Sequence, residues 1–193
     1  MARSQNDSET LYKKAKKYLQ GEEVPLSYEK GISYLQKAAE KGHVKAQYNL
    51  GVLHHQGLGI SQSYEEAYRY FELAANQGHP RDYYMLGCYF AFGFLLVPSD
   101  EHAAYYFRLA AEAGVADAQY DLGVCLLSGK GTAQSEKEAA YYFKLASKQG
   151  NADAHYNLGV CYYQGLGVEM SHEKAIHHLE LAVKEKQPKA AAA

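Results

Sequence analysis

The apolar positions of one central stretch are Ala67, Tyr70, Phe71, Ala74 and Ala75. They fall at i, i+3, i+4, i+7 and i+8, a single face of an α-helix. The same face returns as Ala103, Tyr106, Phe107, Ala110, Ala111 and again as Ala139, Tyr142, Phe143, Ala146, Ser147. Ahead of the first copy, Ala46, Leu50 and Leu53 share one side of a second helical stretch that closes at Gly57-Leu58-Gly59. The spacing predicts a helix A over 45–56 and a helix B over 64–77. Gly57 and Gly78 stand where left-handed residues end helices.

This helix pair recurs. The phrase Ala154-His155-Tyr156-Asn157-Leu158-Gly159 repeats Ala46-Gln47-Tyr48-Asn49-Leu50-Gly51 and Ala118-Gln119-Tyr120-Asp121-Leu122-Gly123. The Leu-Gly glycines 51, 87, 123 and 159 are spaced by 36, as are Gly42, Gly78, Gly114, Gly150 and Gly21, Gly57, Gly93, Gly129, Gly165. A fixed period of this size marks a solenoid. The expectation is an all-α, right-handed α/α superhelical solenoid of about five 36-residue helix-turn-helix repeats, at 8–43, 44–79, 80–115, 116–151 and 152–187. Residues 1–7 are expected to be loose, and 188–193 to begin a truncated further helix or tail. Lys14 and Ala15 stand where Leu-Gly is expected, and Lys13, Lys14, Lys16 and Lys17 make that helix basic, which reads as an N-terminal cap. A mid-helix glycine costs about 1 kcal/mol against alanine. Its return at one position is expected to reflect close approach of helix A to helix B, glycine meeting alanine.

Composition narrows the function. In 193 residues, 47% are hydrophobic and 22% charged, a globular balance. The net charge of −2 gives no electrostatic case for nucleic acid or an anionic membrane. No apolar run is long enough to span a bilayer. Met1 to Thr10 is polar and does not read as a secretory signal. Stacked helices lie about 8–10 Å apart, beyond the roughly 4.4–6.8 Å that a disulfide needs. Cys88, Cys125 and Cys161 therefore read as unpaired, small buried residues, and the localisation expected is cytoplasmic.

The pattern A-x-x-x-L-G-x-x-Y-x-x-G-x-G-[VI], followed by K-A-x-x-[YW]-[YF]-x-x-A-A-x-x-G-[HN], resembles the Sel-one-like repeat family, relatives of tetratricopeptide repeats. The resemblance covers 8–187. It is closest around Leu158-Gly159, Tyr162, Gly165, Gly167-Val168 and Lys174-Ala175-Ile176, and weakest in the third unit, where Asp82 replaces the alanine and Leu95 the second loop glycine. It implies an α/α superhelix acting as a non-catalytic adaptor or scaffold for proteins. The paired cysteines of the family's disulfide-bearing branch are absent.

In such arrays helix A lines the concave face. The stripe that Ala46, Leu50 and Leu53 leave outward is Lys45, Asn49, Gln56; Arg81, Met85, Phe92; Asp117, Asp121, Ser128; and Asp153, Asn157, Gln164. It predicts a peptide groove, basic in its N-terminal half and acidic in its C-terminal half, where Asn49 and Asn157 offer donor and acceptor to an extended backbone. The alternative partner is a second copy of the chain, expected to assemble through the third-unit loop and an uncapped C-terminal end. Phe92, Leu95 and Val97 replace polar and glycine residues of the sister loops and would form an apolar contact surface, whereas Phe94 and Leu96 are expected in the core. No catalytic residue, cofactor or metal ligand is assigned. His54-His55 and His177-His178 are adjacent and point apart, and His172 and His177 are five apart, not the four of zinc helices. Cys125 or Cys161 would need exposure and a depressed pKa to act as a nucleophile.

Overall fold

The structure, a computed structural model, describes residues 2–95 and 97–186. The expected start of a further helix at 188–193 and the core position Leu96 lie outside them. The described residues form ten helices: α1 (Ala2–Gln20), α2 (Tyr28–Glu40), α3 (Val44–Gln56), α4 (Tyr64–Ala75), α5 (Pro80–Phe92), α6 (Asp100–Glu112), α7 (Ala116–Ser128), α8 (Glu136–Ser147), α9 (Ala152–Gln164) and α10 (His172–Lys186). Odd-numbered helices are the A helices of the repeats and even-numbered ones the B helices. Packing divides the chain into two compact units, Met1–Tyr89 with Gly93–Val97, and Phe90–Phe92 with Pro98–Ala193. The division falls in the third repeat, where the motif departs most from its sisters. At the other end, α1 already begins at Ala2, so residues 2–7 are helical where a loose segment was expected. That stretch holds no proline or glycine to stop a helix continued from the core residue Ala15.

Each helix starts and stops for a local reason. Ser27, Ser63, Ser99, Ser135 and Ser171, again 36 apart, precede the B helices, and each hydroxyl accepts from the backbone N–H three residues on. At the A-helix ends Gly57, Gly93, Gly129 and Gly165 are left-handed, with φ between 64° and 74°. Their N–H groups close the last turn on Leu53, Tyr89, Cys125 and Cys161 carbonyls.

The mid-helix glycine has a different partner from the one expected. A Cβ on Gly51 would sit 2.5 Å from the Phe71 ring, and one on Gly123 would sit 2.6 Å from Phe143. The partner is an aromatic ring of helix B, not alanine. A phenyl ring can lie flat on the bare backbone, and both rings are fully buried. The first repeat fills the same space with a larger residue on helix A and a smaller one on helix B. Ala15, in the glycine's register, and Leu35, in the phenylalanine's, are both fully buried in one cluster. In the last repeat Gly159 faces Leu179.

A ring stack sets the register nearer the end of four of the five A helices, Leu126 taking the ring's place in α7. Tyr18 lies on Tyr34, His54 on Tyr70, Phe90 on Tyr106 and Tyr162 on His178, with centroids 5.6–5.8 Å apart and planes within 15°. The second loop glycine fixes successive repeats. A Cβ on Gly131 would stand 2.0 Å from the Asp100 carbonyl, and one on Gly167 2.1 Å from that of Glu136. Leu95 occupies this register position in the third repeat, and among described non-glycine residues only Glu23 has positive φ. The third-repeat loop therefore takes a different backbone course. Its Phe94 packs against Tyr89, Tyr64 and His55, whereas Phe92, Leu95 and Val97 are 70%, 45% and 87% exposed.

The packing predicts that Gly123→Leu destabilises the chain by roughly 1–3 kcal/mol through collision with Phe143. Pairing Gly123→Ala with Phe143→Leu, the combination of the first repeat, should recover most of the loss caused by Gly123→Ala alone. Thermal unfolding followed by circular dichroism checks both.

Candidate functional site

In the first unit the stripe residues of α3 and α5 come together. Lys45 and Asn49, one turn apart on α3, and Arg81 at the start of α5 line a depression of about 250 Å³ with Tyr12, Tyr48 and His79. Lys45 and Arg81 are exposed, and neither is in an ion pair among the described residues. The Asn49 amide donates to the Tyr12 hydroxyl at 3.5 Å, leaving its carbonyl oxygen to the depression. Asn49 therefore has a structural partner as well as a free acceptor. Gln56 is exposed further along α3, and Met85 is half-buried on α5. Tyr12 and His79 were not picked out from the sequence. The signal was there for Tyr12, whose register recurs as Tyr48, Tyr120 and Tyr156.

Beneath the depression lies a carboxyl in an alanine's place. Asp82 holds the register of Ala46, Ala118 and Ala154, and is fully buried like them. Its Oδ2 contacts His79 Nδ1, and Oδ1 has no hydrogen-bond partner. Burial pushes the Asp82 pKa up to about 8. Burial, with Arg81 and Lys45 nearby, lowers that of His79. The pair is thus neutral near pH 7, the carboxylic acid donating to the imidazole. His79 cannot accept from the first-turn amide as His43 does from Ala46 N–H, and α5 lacks a side-chain cap.

In the second unit the stripe is acidic but partly occupied. Asp117 accepts from the Asn151 amide at 3.3 Å, and Asp153 pairs with Lys186 at 2.7 Å. Asn157 hydrogen-bonds Tyr120, repeating the Asn49–Tyr12 link one repeat from its partner. Asp121 is half-buried and lines a separate hollow with Lys130 and Cys125, while Gln164 is exposed. Among the described residues no cysteine forms a disulfide, and Cys88, like Cys125, is half-buried where a buried position was expected. Cys161 is fully buried, its pKa raised by burial to about 11, and the half-buried Cys125 thiol is also pushed up, chiefly by burial. Such thiols are poor nucleophiles. Among the described residues no helix is long and apolar enough to cross a membrane.

Paired helices in 36-residue register, an A-helix glycine on a B-helix ring and left-handed glycine caps define an α/α repeat solenoid. The chain belongs to the Sel1 repeat family, whose model matches residues 10–43, 44–79, 80–115, 116–151 and 152–186. Proteins of this family generally mediate protein–protein interaction and are generally non-catalytic. The fold is similar to a protective antigen present in uropathogenic Escherichia coli strains, with TM-score 0.87 and 27% identity over 92% of this chain and 38% of that one. A Sel1 repeat protein from Oxalobacter formigenes gives TM-score 0.85 and 27% identity, over 94% and 72%. An immunity protein from Pseudomonas aeruginosa, 22% identical at TM-score 0.57 over 92% and 66%, shares the fold alone. The chain thus spans well under half the length of the E. coli antigen. No curated protein matches it.

The Asp82 carboxyl generates a pH prediction. Its pKa is raised from 3.8 to about 8 on folding, so the native state binds the proton more tightly. Its contribution is full at acidic pH and is lost as pH rises from about 4 through about 8. Asp82→Ala should therefore raise the Tm at pH 8, with the gap to the parent narrowing towards pH 4. Parallel curves would contradict the assignment.

Proposed function

We propose that the chain is a non-catalytic protein-binding scaffold whose helix-A face holds an acidic peptide segment of a partner protein. The observation that carries this reading is the depression of Lys45, Asn49, Arg81, Tyr12, Tyr48 and His79. Two unpaired cations flank it, one amide offers an acceptor, and two phenols bring further hydrogen-bonding groups. A carboxylate seated between Lys45 and Arg81 gains charge-assisted hydrogen bonds. Gln56 and Met85 extend the contact along the first unit. In the second unit Asp117, Asp121, Asp153, Asn157 and Gln164 supply the corresponding A-helix surface, which suits a ligand segment of opposite charge.

A second reading, self-association, is favoured by the exposure of Phe92, Leu95 and Val97, the first two being apolar side chains where sister repeats place polar residues or glycine. Light scattering over a wide concentration range distinguishes it. A dimer lost on Phe92→Ser would support it, and a monomer throughout would remove it.

The scaffold reading predicts that a fluorescent glutamate-rich peptide binds the protein more weakly as salt increases. Lys45→Glu combined with Arg81→Glu should weaken binding by at least about tenfold, equivalent to 1.4 kcal/mol. Fluorescence anisotropy measures both, and unchanged affinity in the double variant would overturn the site.

A further inference from the structure

The last repeat departs from its sisters at three positions that the protein-binding reading does not use. In the second repeat the Gln47 amide donates to the Ala39 carbonyl, and its own oxygen accepts from Gln77 at 2.7 Å. In the fourth, Gln119 donates to the Ala111 carbonyl and accepts from Gln149 at 2.9 Å. The residues in register in the fifth are His155 and Glu185, and the tyrosine register of Tyr70 and Tyr142 holds His178. A glutamine pair beside a tyrosine has become two histidines and a glutamate.

Their geometry departs from simple replacement. His155 Nδ1 lies 3.0 Å from His178 Nδ1, with ring centroids 5.2 Å apart. His155 also keeps the repeat's link to the preceding helix, hydrogen-bonding the Ser147 backbone. With Nδ1 turned to His178, this bonding assigns the donor on Ser147 to Nε2 and makes Nδ1 the acceptor of the His178 Nδ1–H. A ring N–H fixed on a backbone carbonyl is how proteins orient a metal-binding histidine. His178 is held from its other face by stacking on Tyr162, 5.6 Å away with planes 5° apart.

We propose that His155 and His178 form a binding site for Zn²⁺, closed by the carboxylate of Glu185. Two imidazoles on one tetrahedral zinc at about 2.0–2.1 Å hold their ring centres about 5.2 Å apart and their donor nitrogens about 3.3–3.4 Å apart. The centroids already have that separation. For both Nδ1 lone pairs to meet on one ion, the nitrogens part by a few tenths of an ångström, each ring turns away from its direct aim at the other, and His178 moves its proton to Nε2. Among the described residues no three donors yet converge on one point, so the third ligand arrives by rotation of an exposed side chain. Glu185 is exposed, lies close enough to act electrostatically on His155, and holds the register from which Gln77 and Gln149 reach the same spot. Water supplies the fourth position.

The test is calorimetric titration of the untagged full chain with zinc chloride, with Tm measured in parallel. The expected result is one ion per chain and a zinc-dependent rise in Tm, as a ligand bound only to the native state requires. His155→Gln and His178→Tyr restore residues that sister repeats already accommodate, so both variants should fold. Each should lose at least about tenfold in affinity, the lower end of what removing even a supporting residue costs. Glu185→Gln should weaken binding by less. No uptake by the parent would overturn the proposal. So would unchanged affinity in His155→Gln, or a loss seen only on replacing the exposed His172 and His177.

Discussion

The contact on which the architecture depends is the bare backbone of a helix-A glycine under a large side chain of helix B. Gly51 under Phe71 and Gly123 under Phe143 bring the two helices of a repeat close enough to bury rings completely. Tyr and Phe bury large apolar areas, so one such fit per repeat offsets the intrinsic cost of glycine in a helix. Repeats contact mainly their neighbours, so stability accumulates pair by pair and each fit matters locally. The first repeat shows that the constraint is one of summed volume. Ala15 is larger than glycine, and Leu35 is correspondingly smaller than phenylalanine.

Once helix A is pinned by its inner face, its outer face is presented as a row. That is how Lys45, Asn49 and Arg81 reach one depression although 32 and 36 residues separate the asparagine and lysine from Arg81 along the chain. The Tyr12–Asn49 and Tyr120–Asn157 hydrogen bonds tie this row to the preceding repeat, so the polar stripe is partly structural. The buried Asp82 adds a carboxyl below it that is bonded to His79 through one oxygen and unpartnered at the other. A polar group without its partners in the core is costly, and sites built for function are where such costs collect.

Much of this was legible in the chain. The period of 36, the helix pairs, the left-handed caps at Gly57 and Gly78, and the outward stripe follow from spacing. The serine N-caps were equally periodic but are visible only when polar positions are aligned as carefully as apolar ones. What the spacing could not convey was which side chain fills the space above the glycine. Alanine and phenylalanine lie on the same face of helix B, and only coordinates tell which one meets Gly51. The depression was half legible: Lys45, Asn49 and Arg81 came from the stripe, whereas His79, which turns inward to Asp82, was not picked out. The His155–His178 contact joins residues 23 apart on consecutive helices. Inspecting adjacent histidines in sequence could not find it, though comparing registers across repeats would have flagged both substitutions.

The proposed function places a partner's acidic segment on the helix-A face of the first unit. Amide and side-chain NMR shifts of isotope-labelled protein, titrated with a glutamate-rich peptide, test it most directly. Binding there should give saturable shifts at Lys45, Asn49, His79 and Arg81, with the B-helix residues Glu65, Arg69 and Glu72 unmoved. Shifts confined to the B helices, or scattered without saturation, would contradict it.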